Sequence, residues 1–212
     1  MKIAVVCASG RAGKLIVEEA MSRGHEVTAV VRDPDKAPQA TKVIVKDLFD
    51  LTFDDIKDCE IIIDAFGTWT PDTLSQHSTS LKHLCDILSG KPNRLLVVGG
   101  AGSLYVDPEH TIRLMDTKDF PDAFKPVASS MAKALDELRK RNDVRWTYIS
   151  PAADFRVDGP RTGKYTLGGE ELIVNSKGES VISYADYAVA IIDEAEKGNH
   201  IGQRISVVGE YD

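Results

Sequence analysis

The segment from residue 7 to residue 13 has the residue types of an anion-binding turn. It reads Cys-Ala-Ser-Gly-Arg-Ala-Gly and lies between an apolar run and residues with amphipathic helical spacing. Gly10 lets backbone amides approach a diphosphate at the positive end of the following helix, and Gly13 permits close packing of that helix on the strand. A purely structural tight turn is the alternative, but the flanking pattern favours a dinucleotide site. The predicted binding residues of this turn are Ala8, Ser9, Gly10, Arg11, Ala12 and Gly13.

Cys7 stands where such turns usually carry their first glycine. A side chain at this position predicts either that the backbone keeps a negative φ or that the turn is wider than usual. The three cysteines, Cys7, Cys59 and Cys85, lack the paired spacing of a zinc site or a redox dithiol. We therefore expect reduced, mostly buried thiols.

A second charged position follows the next strand, which ends Val31-Arg32-Asp33. An acidic residue at the end of this strand hydrogen-bonds an unphosphorylated ribose, whereas an arginine pairs with a 2′-phosphate. Arg32, together with Arg11 and Ser9, favours a phosphate clamp and hence NADPH. Asp33 keeps NADH open as the alternative.

These positions require a scaffold in which short strands alternate with amphipathic helices. Such alternation predicts an α/β fold, a doubly wound parallel sheet of the Rossmann type, in one domain covering residues 1–212. Residues 163–182 are predicted to form a hairpin or small extension, with residues 151–182 adding to a substrate pocket. Strands are predicted at residues 2–7, 25–31, 41–45, 60–65, 94–98, 144–149 and 204–208.

The helix boundaries are predicted from capping residues. The first helix ends near Gly24, and the next starts with Thr70 as cap and Pro71 in its first turn. A long loop, residues 99–126, precedes a helix at residues 127–138. Ser183 and Asp186 form a capping-box signature for the last helix, which Gly198 ends.

Composition excludes several classes of function. The net charge of −7 and the pI near 5.3 disfavour nucleic-acid binding. No apolar stretch reaches membrane-spanning length, so we expect a cytoplasmic protein without membrane contact. The five histidines show no paired spacing, which predicts no metal site and no Ser-His-Asp hydrolase.

The chain resembles the atypical short-chain dehydrogenase/reductase group, and within it the NAD(P)H-binding proteins described as NADH-flavin reductases, with likeness to NmrA-like and biliverdin reductase B-like proteins. The resemblance covers essentially the whole length. It rests on residues 2–13, 24–32, 47–49, 97–104, 150–153, 161–165 and 182–188.

The resemblance implies further cofactor contacts. Asp47 and Leu48 would flank the adenine, and Phe66 and Gly67 would lie beside the adenosine ribose. Residues 151–153 would border the nicotinamide. The cofactor-binding positions added in this way are Asp47, Leu48, Ala65, Phe66, Gly67, Gly99, Gly100, Pro151, Ala152 and Ala153.

The catalytic Tyr-x-x-x-Lys pair of the wider superfamily is missing. Phe124 stands in the corresponding region, and a phenylalanine cannot donate a proton. Ser103 occupies the place of the superfamily's substrate-facing serine, which implies a hydrogen-bond donor, although turn chemistry is the alternative. Aromatic residues in strand-end loops are candidates for the walls of an acceptor pocket: Trp69, Tyr105, Phe124 and Phe155.

Three functions remain open on these grounds. The leading hypothesis is hydride transfer from NADPH to a free flavin or similar flat small-molecule acceptor, with the flavin as substrate rather than bound cofactor. The main rival is a non-catalytic dinucleotide sensor of the NmrA-like type, which would need a protein partner. A nucleotide-sugar epimerase or dehydratase ranks last, because those enzymes rely on the missing tyrosine.

Overall fold

The structure is a computed structural model that describes residues 1–211, and within this range it has ten strands and five α-helices. The strands are β1 (Lys2–Val6), β2 (Glu26–Val31), β3 (Lys42–Val45), β4 (Ile61–Asp64), β5 (Arg94–Val98), β6 (Arg145–Ser150), β7 (Asp154–Arg156), β8 (Tyr165–Gly168), β9 (Val181–Ser183) and β10 (Gln203–Gly209). The helices are α1 (Arg11–Ser22), α2 (Phe53–Ile56), α3 (Gln76–Ile87), α4 (Lys125–Leu138) and α5 (Tyr184–Lys197).

Eight strands form the main sheet in the order β3-β2-β1-β4-β5-β6-β10-β8. Neighbours pair in parallel throughout, except that β8 is antiparallel to β10. Strands β1 and β4 lie at the centre, and their apolar runs suit burial on both faces of a parallel sheet. The predicted doubly wound Rossmann architecture is confirmed.

Each face of the sheet carries its own apolar core. Ile3 and Val5 of β1 pack with residues of α1 and α5, whereas Ala4 and Val6 pack with residues of α3 and α4. This alternation follows from the two-residue period of a strand. Burial of each large aliphatic side chain stabilises the fold by about 1.5–3 kcal/mol, so the two helical layers fix the strand ends that form the site.

Two predicted helix starts differ from the structure. Pro71–Thr73 is a short 3₁₀ turn without a side-chain cap from Thr70, and α3 begins only at Gln76. In contrast, α4 begins before its predicted start and takes Pro126 into its first turn, where a proline needs no amide partner. The Thr70 cap was therefore wrong, and the long loop ends slightly earlier than expected.

The predicted hairpin within residues 163–182 is also wrong. β8 joins the main sheet beside β10, and β9 pairs in parallel with β7. β8 and β9 therefore pair with other strands and not with each other. Both strands are short, and the turn residues between them do not determine which strand each one pairs with.

The start of α5 has half of the predicted capping box. The Ser183 hydroxyl accepts the Asp186 amide at 2.9 Å, and Gly198 ends the helix at φ 66°. The Asp186 carboxylate does not return to the Ser183 amide. It accepts the amides of Thr162 and Gly163 at 2.8 and 2.7 Å instead, and so anchors the preceding loop to the helix.

Candidate functional site

The turn between β1 and α1 presents the start of a helix to solvent. Gly10 is the N-cap residue of α1 and has extended backbone angles, and no side chain caps the helix there. Its amide donates to the Cys7 carbonyl at 3.0 Å. The first amides of α1 are left for an external acceptor, and the helix dipole favours an anion at this end.

Cys7 adopts a left-handed backbone conformation with φ 60°. The expected alternatives, a negative φ or a wider turn, are thus wrong. The tight turn is retained because hydrogen bonds from the Ala8 amide to Val30 and from the Gly10 amide to Cys7 close it, both at 3.0 Å. Burial raises the pKa of the Cys7 thiol to about 12, so the thiol stays protonated at neutral pH.

Gly13 provides the close approach of helix and strand that its position predicts. A Cβ built on Gly13 would lie 2.6 Å from the Cys7 carbonyl oxygen and 2.9 Å from the Ala8 Cα. Both neighbours are backbone atoms. No side chain can therefore be accommodated at this position without moving the turn.

A cleft opens beside the turn, between the carboxyl ends of β1, β2 and β4. It brings together predicted residues from four separate segments of the chain, which is the arrangement that a long dinucleotide requires. Lys46 and Gln76, which the sequence analysis missed, belong to the lining as well. The lining residues are Val6, Cys7, Ser9, Gly10, Val30, Val31, Arg32, Lys46, Asp47, Leu48, Phe49, Ala65, Phe66, Gly67 and Gln76.

Four predicted residues of the turn lie outside this lining: Ala8, Arg11, Ala12 and Gly13. Ala8 is fully buried beneath the turn, and Ala12 is half-buried on α1. Arg11 is exposed and close enough to Tyr184 of α5 to lower the pKa of that phenol, which burial otherwise raises. Arg32 lines the cleft and Arg11 does not, and the phosphate clamp formed by the two arginines stays a prediction.

The charged groups at the far end of the cleft differ in how firmly they are held. The Arg32 side chain is 82% exposed, and its Nη1 lies 4.0 Å from Asp47 Oδ2. Asp33 accepts the Asp35 amide at 3.1 Å and pairs with Lys36 at 3.2 Å, and these contacts lower its pKa. Arg32 can therefore turn towards a ligand. Asp33 instead caps the short turn that follows it.

Lys46 also lines the cleft, and its ammonium is paired with Asp55. Its Nζ donates to both oxygens of Asp55 at 2.7 and 2.8 Å. This pair holds the pKa of Asp55 at about 2. Lys46 is thereby fixed at the cleft wall beside Asp47.

The adenine and ribose positions named by the resemblance are ordered by short-range contacts. Asp47 accepts the Phe49 amide at 3.0 Å and so caps a short turn, and Leu48 is buried at the base of the cleft. Phe66 meets His77 edge-to-face, with ring centroids 5.5 Å apart. Leu48 and Phe66 thus supply apolar side chains to the cleft lining.

Gly99 and Gly100 lie outside the cleft lining and contact Tyr148 instead. A Cβ on Gly99 would overlap the Tyr148 ring, and the Gly100 amide donates to Tyr148 Oη at 3.2 Å. Packing therefore accounts for both glycines. Beyond β6, Pro151 and Ala152 are buried, and Ala153 is exposed with its amide donating to Ser180 Oγ at 3.1 Å.

Ser103 is buried rather than turned towards the cleft. Only 6% of the residue is exposed, and its hydroxyl oxygen accepts from Arg204 Nη1 at 3.2 Å. Arg204 in turn pairs with Glu170 through Nε at 2.9 Å. Ser103 thus belongs to a network that ties β10 to the extension, and this placement does not support the predicted substrate contact.

The four aromatic candidates divide into three places. Trp69 and Phe124 meet edge-to-face at 6.4 Å and are 68% and 50% exposed. Tyr105 stacks on His110 at 4.7 Å in the long loop. Phe155 packs on Tyr184 at 3.8 Å. Only Trp69 and Phe124 form a joint, solvent-facing apolar wall at the strand ends.

Asp64 is a buried carboxylate next to the cleft that the sequence analysis missed. It ends β4, is 4% exposed, and accepts the Phe66 amide at 3.0 Å. Burial raises its pKa to about 6. The available signal was a carboxylate directly after three isoleucines in a predicted strand.

Within residues 1–211, no group of three or more metal-ligating side chains comes together. In the same range no helix is long and apolar enough to cross a membrane.

Comparison with known proteins places this geometry among dinucleotide-binding chains. A family model described as NAD(P)H-binding matches residues 7–195. "Uncharacterized protein YwnB" of Bacillus subtilis (strain 168) is 47% identical over 212 residues, 99% of each chain.

Solved structures agree with this family. A crystal structure of "a putative NADH-flavin reductase" from Streptococcus pneumoniae TIGR4 is 55% identical, with a TM-score of 0.96 over 99% of this chain and 100% of that one. A protein from Lactobacillus casei is 32% identical, with a TM-score of 0.89 over the full length of both. ChuY, an anaerobilin reductase from Escherichia coli O157:H7, is 18% identical with a TM-score of 0.77 over 99% of this chain and 97% of that one, and shares the fold.

Proposed function

Because the chain belongs to the NAD(P)H-binding family, we propose that it is an oxidoreductase that transfers a hydride from NADPH to a free flavin or a similar flat acceptor. The observation that carries this proposal is the cleft that joins Gly10, Arg32, Asp47 and Phe66. It runs from an uncapped helix start to an exposed guanidinium, which matches the diphosphate and the 2′-phosphate of one ligand.

NADPH rather than NADH is the proposed cofactor because of how Arg32 and Asp33 are engaged. Asp33 is held by Lys36 and the Asp35 amide, away from the role of a ribose acceptor. Arg32 has only the distant Asp47 carboxylate, at 4.0 Å. Lys46 also lines the cleft, but its ammonium is already paired with Asp55, which leaves Arg32 as the arginine for a 2′-phosphate.

A flat acceptor fits both the missing tyrosine and the exposed aromatic wall. Hydride transfer between stacked rings is mainly a matter of position, so the reaction needs no tyrosine as general acid. Trp69 and Phe124 offer a ring surface at the strand ends. The name of the Streptococcus pneumoniae relative supports a flavin as the acceptor.

The direct test follows the absorbance of NADPH when purified protein is mixed with FMN, FAD or riboflavin. We expect oxidation above a protein-free control, and a smaller rate when Trp69 is replaced by alanine. The matched control is Lys82→Ala, which removes an exposed side chain of α3 that is ion-paired to Asp86. Tight NADPH binding without turnover of any flat acceptor would contradict the enzymatic role and favour a dinucleotide sensor.

A further inference from the structure

A second, smaller cavity lies behind the cleft, between the sheet and helices α3 and α4. Phe66 lines both spaces. Apolar side chains such as Leu81 and Met131 form much of its wall, but four polar residues also face it: Asp64, His77, Ser80 and Tyr148. None of them belongs to the dinucleotide cleft.

The polar atoms of this cavity are incompletely satisfied. Ser80 is 1% exposed, and its hydroxyl has no hydrogen-bond partner within the described residues 1–211. The Asp64 carboxylate accepts the Phe66 amide through Oδ1. Tyr148 Oη accepts the Gly100 amide, which leaves its own hydrogen available to donate. An unpaired buried hydroxyl is unfavourable, so these groups indicate a small polar ligand.

Water is the ligand class that this site suits. The space is small, and a water needs two to four polar partners, which the four polar residues of its wall offer. His77 donates through Nε2 to the Thr68 carbonyl at 3.0 Å, and burial lowers its pKa, so the imidazole is neutral. The cavity wall therefore has no fixed positive charge that could pair with the Asp64 carboxylate in place of a water.

The surroundings of Asp64 also favour its neutral form. The titratable groups that face it are the Cys7 thiol after β1, His77 and Cys85 on α3, and Tyr148 on β6. The residues that β5 and α4 contribute to the cavity are uncharged. Burial raises the Asp64 pKa to about 6, and its charge in turn raises the pKa of both cysteines and of Tyr148.

Asp64 is also close to the place where the ligand's charge would arrive. It pairs in register with Val6, the last residue of β1 before the turn, and with Val97 of β5. A diphosphate at the start of α1 would bring negative charge towards a carboxylate that is already poorly solvated. Like charges disfavour ionisation, so bound dinucleotide and protonated Asp64 stabilise each other.

We propose that this cavity is an internal water and proton site, in which one water bridges Asp64 and Ser80 and Asp64 takes up a proton when the dinucleotide binds. The inference rests on the dinucleotide-binding part of the proposed function and not on the identity of the acceptor. It gives the protein a neutral acid beneath the strand ends, in a chain that lacks the tyrosine proton donor.

Calorimetric titration with NADPH tests the proton uptake without any turnover. Near pH 6.5, where a carboxyl of this pKa is partly ionised, we expect the binding enthalpy of the wild type to depend on the ionisation enthalpy of the buffer, with uptake of about a few tenths of a proton more than in Asp64→Asn. The asparagine keeps the acceptor for the Phe66 amide, so its NADPH affinity should stay within about threefold. Asp72→Asn, at an exposed carboxylate, should behave as the wild type.

Two results would overturn the proposal. Proton uptake in Asp64→Asn equal to that of the wild type would remove Asp64 from the coupling, while leaving the cofactor role intact. A high-resolution crystal structure without density between Asp64 and Ser80 would remove the water, whereas density that disappears in Ser80→Val would support it. Absence of NADPH binding in every variant would instead end the proposed function, and the coupling with it.

Discussion

The carbonyl oxygen of Cys7 lies 2.6 Å from the point that a Cβ on Gly13 would occupy. The same carbonyl accepts the Gly10 amide at 3.0 Å. One peptide group therefore sets both the curvature of the turn and the distance between α1 and β1. The cleft depends on this contact, because the turn places the first amides of α1 at its mouth.

Replacing Gly13 with alanine should destabilise the protein. The new methyl group would meet backbone atoms that cannot rotate away, so we expect a loss of about 2 kcal/mol or more in the free energy of unfolding. Urea denaturation of Gly13→Ala measures it. Gly169→Ala is the matched control, because its Cβ would meet only the end of Glu171 at 3.6 Å. Equal stability of the two variants would mean that the turn yields easily.

Substitutions at Cys7 should follow the cost of its positive φ. A left-handed conformation costs an L residue about 1–2 kcal/mol and glycine almost nothing, so Cys7→Gly should stay within about 1 kcal/mol of the wild type despite losing the half-buried thiol. Cys7→Val should be clearly less stable, because a β-branched residue fits this conformation poorly. Thermal unfolding of both variants decides the point, and a valine variant as stable as the glycine variant would count against a strained turn.

Removing the Arg32 side chain should separate the two nicotinamide cofactors. We expect Arg32→Ala to weaken NADPH binding about 10- to 100-fold, the value of a charge-assisted hydrogen bond, and to change NADH binding by less than about threefold. Fluorescence titration of the reduced nicotinamide measures both. Lys82→Ala should leave both affinities unchanged. Equal losses for NADPH and NADH would show that Arg32 does not contact the 2′-phosphate.

Asp64 should make stability depend on pH. Its pKa is about 6 in the folded protein, above the unfolded value. The protonated carboxyl therefore contributes fully to the free energy of unfolding below about pH 4, and this contribution is lost as the pH rises through 6. Asp64→Asn does not ionise and should gain on the order of 2 kcal/mol over the wild type between about pH 4 and pH 8. Urea unfolding at both ends of this range checks it. A difference that does not vary with pH would contradict a raised pKa.

The sheet could be predicted from the sequence because its signals are local. Runs such as residues 61–63 and 3–6 are too apolar for anything but a strand covered on both faces, and helix periodicity between them fixes the alternation. The partners of β8 and β9 could not be predicted in this way. Those strands have three or four residues each, and their neighbours lie far along the chain.

The candidate site was predictable to a lesser degree. Gly10, Gly13 and Arg32 followed from position relative to strands, whereas Asp47 and Phe66 came only through family resemblance. Burial was the missing information elsewhere, because a serine in a loop does not reveal that an arginine from β10 covers it, as happens at Ser103.

Asp64 and Lys46 could not be predicted from the sequence for a related reason. Each is an ordinary charged residue at a strand end, and only the folded arrangement buries one and fixes the other beside the cleft. Sequence reasoning of this kind identifies where a ligand's backbone contacts should be. It does not identify which charges the fold holds nearby.

The most direct test of the whole account is a crystal structure of the protein soaked with NADPH. We predict density for the diphosphate at the first amides of α1, next to Gly10, with the 2′-phosphate within hydrogen-bond distance of Arg32. A cofactor bound elsewhere, or a cleft that stays empty at saturating NADPH, would contradict the central claim.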